Sequence, residues 1–327
     1  MEDGYAAVVE RLAQDRRICV TTHESPDGDA LGSLLGAGLA LRGAGYDVAF
    51  YLSGQDAYPA EYRFLPVEEI DRQPPADAAE RVLYAFDCGS ARRIGPDEGL
   101  LERFAGVVNV DHHHDNTRFG DVNLVDPQAA CTAQIIARLL HALRIEVPPA
   151  ASEALYVGLV TDTGRFQYAN TTPDALRLAA ELVEDGVQPA KIFGEIWESV
   201  PFAKQRLLGT ALSRAQRECD GRLLVTWLER KDFDQAGAPD AFSEGLIDQL
   251  RAVQGVDVAA LIREPAGPGG PRHKVSLRSR TGGVDVSSIA RQQGGGGHKE
   301  AAGFSSEASV DEIVEFLRGA LDGGHPA

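Results

Sequence analysis

Cysteine is scarce and scattered in this 327-residue chain: four thiols, Cys19, Cys88, Cys131 and Cys219, with no C-x-x-C spacing among them. That pattern argues against a disulfide framework and a thiolate zinc site, and reduced core thiols are the expectation. Positive charge is also short. The net charge of −17 speaks against a broad, sequence-independent grip on nucleic acid, which needs many Lys and Arg on phosphates. Long apolar runs are missing as well: the longest uncharged stretch near the amino terminus, residues 30–41, falls short of the roughly 20 residues a membrane span needs. The opening MEDGYAAVVERLAQDRR is net acidic and has no apolar core of the secretory type. A cytoplasmic protein without a membrane partner is therefore expected. Low-complexity tracts and internal repeats are absent, and 43% hydrophobic with 25% charged residues is an ordinary globular composition.

The length allows two domains, since single cores stop growing near ~250 to 300 residues. Charge is divided unevenly between the halves. Residues 1–204 hold 17 basic and 32 acidic side chains, net −15, whereas residues 205–327 hold 15 and 17, net −2. Between Arg263 and Lys299 seven basic residues face two acidic ones. An acidic half and a locally basic segment suit a metal-loaded domain and an anion-binding one.

In the first half, ICVTTH, DVAFYL, VLYAFDCG and GVVNVDHH read as buried strands. Helices are predicted at residues 30–42, 132–143 and 152–160. Such alternation predicts an α/β domain with a mainly parallel sheet and helices on both faces, binding its ligand at the carboxyl ends of the strands. From Gln188 the helical segments PAKIFGEIWESV and PFAKQRLLGTALSRAQRE read as a connector. RLLVTWLE, VDVAALIRE and HKVSLRSR, with helices at residues 239–253 and 284–293, predict a smaller second α/β domain. The expected division is 1–188, a connector at 189–211, and 212–327, with EPAGPGGPR as a hairpin tip.

The chemistry gathers where the predicted strands end. His23, Asp27 and Asp29 follow ICVTT; Asp87 ends VLYAF; Asp111, His112, His113 and His114 end GVVNV; Asp162 lies in TDTG after a helix. In a parallel sheet the first three groups meet at one edge. Taken singly, each reads equally as a turn or a helix cap. Together they place several carboxylates side by side, which is unfavourable unless cations neutralise them. Carboxylates and imidazoles without a thiolate favour Mn²⁺, with Mg²⁺, Co²⁺ or Fe²⁺ as alternatives. The ligands outnumber what one ion needs, and two ions that share a carboxylate and activate a bridging water suit phosphoester hydrolysis.

A second cluster, RQQGGGGHKEAAGF at residues 291–304, combines four glycines with His298 and Lys299. Its backbone N–H groups can approach a phosphate or base closely. The preceding KVSLRSR spaces Arg278 and Arg280 two apart, as on one strand face. A polyanionic ligand is the natural partner.

These stretches, HESPDGDA, FDCGS, DHHH, TDTG and GGGGHKEAAGF, resemble in order and spacing the motifs of the DHH phosphoesterase family with its DHHA-type C-terminal domain. The resemblance implies one metal on His23, Asp27 and Asp87 and a second on Asp29, Asp87, His112 and Asp162, with Asp87 bridging. It implies that His113 contacts the scissile phosphate and that Asp111 supports the histidines. Arg165, Arg278, Arg280, His298 and Lys299 would bind substrate, and Gly295, Gly296 and Gly297 its terminal nucleotide. Length and layout are similar to the family's bifunctional group that degrades short oligoribonucleotides such as pApA to nucleoside monophosphates and hydrolyses pAp (3′-phosphoadenosine 5′-phosphate). Single-strand DNA exonuclease, cyclic-dinucleotide phosphodiesterase and silent nucleotide-binding module stay open as alternatives, as does a homodimeric assembly. His114 and Gln134, where a glutamate is expected, depart from the pattern.

Overall fold

The computed structural model describes residues 2–54, 58–267, 270–280 and 282–322, apart from the side chains of residues 2, 3, 298 and 322. The chain divides into two compact units, Met1–Ser199 and Val200–Ala327. Unit 1 contains α1 (Glu2–Gln14), β1 (Arg17–Thr21), α2 (Gly28–Gly43), β2 (Asp47–Phe50), β3 (Val82–Phe86), β4 (Gly106–Asp111), β5 (Val122–Val125), α3 (Thr132–Ala142), α4 (Pro149–Asp162), α5 (Pro173–Glu184) and α6 (Pro189–Phe193). Its strands pair in parallel in the order β2-β1-β3-β4-β5. The unbroken apolar runs ICV and VLYAF, and VVNV with buried Asn109 as its one polar position, fit strands buried on both faces. Alternate side chains enter different layers. Ile18, Val20, Val82, Tyr84, Phe86, Val108 and Val110 join the core built with the α-helices. Cys19, Leu83, Ala85 and Val107 pack instead with Ile94, Leu100 and Phe104, beside the 3₁₀ turns Ala91–Arg93 and Leu101–Arg103.

From β1 the chain runs to β2 on one side and then returns to β3 on the other. The strand order therefore reverses between β1 and β3, the crevice in which open parallel sheets bind ligands. The loops carrying His23, Asp27 and Asp87 leave the sheet there.

Helices α2 and α4 are buried along most of their length, and small residues set their separation. Gly28, Gly32 and Gly36 recur every fourth residue on one face of α2. A Cβ on Gly32 would lie 2.5 Å from the Ala154 carbonyl and 2.7 Å from the Gly158 nitrogen, and one on Gly36 2.6 Å from Leu155 Cδ2. On Gly28 it would lie 2.4 Å from Thr161 Oγ1. The start of α2 therefore rests on the end of α4, which brings Asp27 and Asp29 to Asp162.

Unit 2 contains α7 (Phe202–Arg214), β6 (Gln216–Glu218), β7 (Leu223–Leu228), α8 (Arg230–Ala236), α9 (Leu246–Arg251), β8 (Val258–Arg263), β9 (His273–Ser279), α10 (Val286–Arg291), β10 (Gly296–His298), β11 (Ala301–Ser306) and α11 (Val310–Asp322). Its sheet has the order β10-β11-β9-β8-β7-β6, with only β7 and β8 parallel. One face packs on α10 and α11 through Val225, Ile262, Leu277, Phe304 and Leu317. On the other, α7 to α9 cover β7 and β8 through Leu207, Leu224, Leu261 and Leu250. The sequence pattern misses β10 and β11, because the glycine-rich stretch that forms them reads as a loop. It also extends the α7 helix through RAQRE, where the structure makes β6. No helix among the described residues is long and apolar enough to cross a membrane.

Candidate metal centre

Each acidic or imidazole side chain at the β1–β3 crevice is set by a local backbone device. Asp27 caps α2, its Oδ1 accepting from the N–H of Asp29 at 3.1 Å and of Ala30 at 3.0 Å. That bond leaves Oδ2 uncommitted to the helix. His23 is buried, and its Nδ1 donates to the Glu24 carbonyl at 2.8 Å, so in the neutral imidazole Nε2 is the nitrogen that carries the lone pair. Asp87 adopts a left-handed conformation, φ +56°, which costs a non-glycine residue about 1 kcal/mol or more. Its N–H still bonds the Val110 carbonyl at 3.0 Å, so the turn follows directly from the β3–β4 ladder.

Asp87 is the hub. Its Oδ2 lies 3.6 Å from His23 Nε2 and its Oδ1 3.7 Å from His112 Nε2; His112 Nε2 is in turn 3.8 Å from Asp162 Oδ2. These separations are too long for hydrogen bonds. They suit pairs of ligands around one ion, since two atoms each about 2.1 Å from a metal stand about 3 to 4 Å apart. Two sets have ligand atoms within 4.8 Å of one another, His23–Asp27–Asp87 and Asp87–His112–His113, and Asp87 belongs to both.

Asp29 is anchored differently. Its Oδ2 accepts the Thr132 N–H at 2.7 Å and its Oδ1 the Ala133 N–H at 3.0 Å, with Ser33 Oγ donating at 3.3 Å. The carboxylate thus sits at the amino terminus of α3, where the helix dipole favours an anion. Burial, with Asp87 and Asp162 nearby, still pushes its pKa well above the usual carboxylate range. Asp162 is raised too, chiefly by burial. Burial would also raise Asp87, but His23, His112 and His113 outweigh it and hold Asp87 below its ordinary value. Two buried carboxylates, Asp29 and Asp87, with the half-buried Asp162 beside them need positive charge. The oxygen and nitrogen donor set fits divalent cations.

His113 is turned to other work. Its Nδ1 donates to Asp111 Oδ1 at 2.8 Å, a bond that pushes the imidazole up to about 9. Asp111, fully buried, also accepts the His112 N–H at 2.9 Å and Asn116 Nδ2 at 2.5 Å. Asn116 Nδ2 further reaches Asn109 Oδ1 at 2.8 Å and the Cys88 carbonyl at 3.0 Å, tying the Asp87 loop to β4. His114 is exposed and takes no part in this network.

Several contributors carry no motif. Thr132 donates its hydroxyl to Asp87 Oδ1 at 2.9 Å. Asn170 Nδ2 bonds the Ala130 carbonyl at 2.9 Å and the Asp162 carbonyl at 3.1 Å. Gln134 is buried, and its Oε1 accepts the Ala130 N–H at 2.7 Å. That contact asks for an acceptor and not for a charge, so an amide serves where a glutamate was expected.

Arg165 is exposed in a turn whose residues Gly164, Arg165 and Phe166 have φ of +55°, +63° and +62°. Its guanidinium lies 5.6 Å from the Trp197 ring centroid. In unit 2, β9 ends before Arg280. Arg278 Nε is 3.9 Å from Asp248 Oδ1, and Arg280 Nη2 donates to the Val253 carbonyl at 3.1 Å. Gly297 has φ +139°, and a Cβ on Gly295 would lie 2.2 Å from the Gly303 carbonyl. A Cβ on Gly296 would meet nothing within 4 Å. Lys299 is exposed, and the side chain of His298 lies outside the described residues.

Residues 17–159 match the model of the DHH family, N-terminal domain, and residues 220–323 that of the DHHA1 domain. The chain is similar to the bifunctional oligoribonuclease and PAP phosphatase NrnA of Thermus thermophilus, 37% identical over 313 residues that cover 92% of this chain and 89% of the relative. The protein of the same name from Bacillus subtilis is 25% identical, covering 92% of each chain. An exopolyphosphatase-related protein from Bacteroides fragilis has a similar fold, with a TM-score of 0.87 at 23% identity over 99% of this chain and 96% of the other.

Proposed function

The chain belongs to the DHH family and is a metal-dependent phosphoesterase, and on that premise we propose that it hydrolyses short oligoribonucleotides to nucleoside monophosphates and also removes phosphate from pAp, with Mn²⁺ as its metal. The observation that carries the reading is Asp87, buried and set between His23 on one side and His112 on the other. His23, Asp27 and Asp87 would hold one ion, and Asp29, Asp87, His112 and Asp162 a second. When bound, the pair of ions supplies activation of a water and neutralisation of phosphoryl oxygens.

The chain's own groups do the rest. His113, whose pKa the Asp111 hydrogen bond raises, would donate from Nε2 to a phosphate oxygen on which charge develops. The Asp111–Asn116–Asn109 network fixes the imidazole's tautomer and orientation. Arg165 in unit 1, and Arg278, Arg280, His298, Lys299 and the glycines 295–297 in unit 2, would bind the rest of the substrate. Relatives named for oligoribonuclease and PAP phosphatase activity support the substrate class.

The test offers pApA, pAp and a 24-nucleotide single-stranded DNA in parallel with Mn²⁺, with Asp87→Ala as control. Conversion of pApA to AMP and turnover of pAp, both reduced at least a hundredfold by the substitution, are expected. Preferential digestion of the 24-mer would replace this reading with an exonuclease, and unchanged hydrolysis by Asp87→Ala would remove the metal assignment.

A further inference from the structure

Unit 2 leaves part of one sheet face open. Helices α7 to α9 cover β7, β8 and the Arg278 end of β9, where Arg278 meets Asp248 of α9, but the same face at the Lys274 end of β9 and on β11 lies beyond them. Alternation on β9 turns His273, Val275, Leu277 and Ser279 inward and Lys274, Ser276 and Arg278 outward. The register sets Arg263 of β8 opposite Lys274, and Lys274 opposite Ser305 of β11. Two cations therefore stand directly across an antiparallel pair, an arrangement that is unfavourable in a sheet. Neither side chain has a hydrogen bond or ion pair with any described residue. The acid whose charge Arg263 feels, Asp240, is already engaged by the Arg230 guanidinium and by the Ala266 N–H at 2.8 Å.

Above this row lies a hollow of about 400 Å³. Arg263 and Lys274 line it with Ser276 and Ser305, and the backbone at Gly294 and Gly295 forms another wall. Gly294 has φ +72° and no atom within 4 Å of where its Cβ would be. Two uncompensated cations, two hydroxyls and exposed backbone in one concave site are a phosphate's complement.

We propose that this trough binds a backbone phosphate of an oligonucleotide substrate, several nucleotides away from the end held at Arg278 and the glycine-rich turn. The inference rests on the oligonucleotide reading above and adds a length-selecting site to it. Lys274 and Arg278 are four residues apart on one strand, about 13 Å. A stacked strand advances about 3.4 Å per nucleotide, so the gap accommodates about two to four nucleotides according to how far the strand is stretched. A bisphosphorylated mononucleotide cannot reach both points.

Two measurements test it with the full-length chain. In the first, equilibrium dialysis of radiolabelled tetra-adenylate in EDTA is run across a salt series for the parent and for Arg263→Ala/Lys274→Ala. The variant should bind at least tenfold more weakly, and its log–log salt slope should be shallower by about 1.4, at about 0.7 for each of two lost contacts on a single strand. Lys274→Arg should retain most of the affinity. In the second, with Mn²⁺, the ratio of kcat/KM for the tetranucleotide to that for pAp should fall at least tenfold in the double variant. Equal affinity and slope, an unchanged ratio, or no tetra-adenylate binding by the parent would each reject the trough. If the parent binds tetra-adenylate but hydrolyses no oligonucleotide, the functional reading fails, and the dialysis result alone decides the trough.

Discussion

Thr132→Val isolates the role of a residue that touches no ion. Its hydroxyl donates to Asp87 Oδ1 at 2.9 Å in a buried setting, while its backbone N–H separately holds Asp29 at 2.7 Å. Valine keeps the shape and the backbone bond and deletes only the hydroxyl. The deleted bond runs to a charged acceptor, worth about 1.5 to 3 kcal/mol. With that restraint gone, the Asp87 carboxylate is free to turn toward His112 or His113, and binding a metal has to reverse the turn. At 1.4 kcal/mol per factor of ten, Mn²⁺ affinity should fall about ten- to a hundredfold, the range seen when groups supporting metal ligands are removed. Isothermal titration of Mn²⁺ into EDTA-stripped protein measures it, with Thr132→Ser, which restores a hydroxyl, expected close to the parent. A valine variant that binds Mn²⁺ as tightly as the parent would show that Asp87 is oriented by packing alone and would refute the reasoning.

Gly158→Ala should destabilise unit 1 by about 1 to 3 kcal/mol through overpacking, because the new methyl would meet Ala133 Cβ at 2.7 Å and Asp29 Oδ1 at 2.8 Å. Thermal melting reads the loss, and Mn²⁺ titration should show weakened binding in protein that remains folded; an unaltered melting temperature would mean the helices separate freely. In unit 2, Asp232 is bound by Arg214 at 2.6 and 3.0 Å and accepts the Glu229 N–H at 2.7 Å. Burial would raise its pKa, but these donors outweigh burial and lower it. A depressed folded value gives stability that is present above the unfolded pKa of about 3.9 and is lost as the pH falls through the folded value. Asp232→Asn should therefore cost about 1.5 to 3 kcal/mol at neutral pH in urea melts of the full chain, with the gap closing below about pH 4; a gap independent of pH would place the effect in packing.

The ends of the parallel strands were legible because two features coincide there: an apolar run announces each strand, and a cluster of Asp and His announces its ligand. His23, Asp87 and His112 fall together as that logic requires. The contribution of Asp29 and Asp162 is written in a less visible code. Asp162 ends a helix, and its approach to Asp29 depends on Gly28, Gly32 and Gly36 against Ala154 and Gly158, a helix contact that periodicity alone does not report because α2 and α4 are apolar nearly all round. Thr132, Asn116 and Asn170 stayed hidden for another reason: a single hydroxyl or amide in a turn reads as a cap, and its partner lies 45 residues distant for Thr132 and 40 for Asn170. The glycine-rich stretch inverts the case. Its composition announced a loop and a ligand, yet close packing explains Gly295, whose Cβ would strike the Gly303 carbonyl. Gly296, free of any such contact, is the position where small size is not demanded by the fold. A substitution series there separates the two causes: if Gly296→Ala leaves the melting temperature intact and weakens nucleotide binding, the vacancy serves the ligand, whereas a stability loss equal to that of Gly295→Ala would return the whole run to packing.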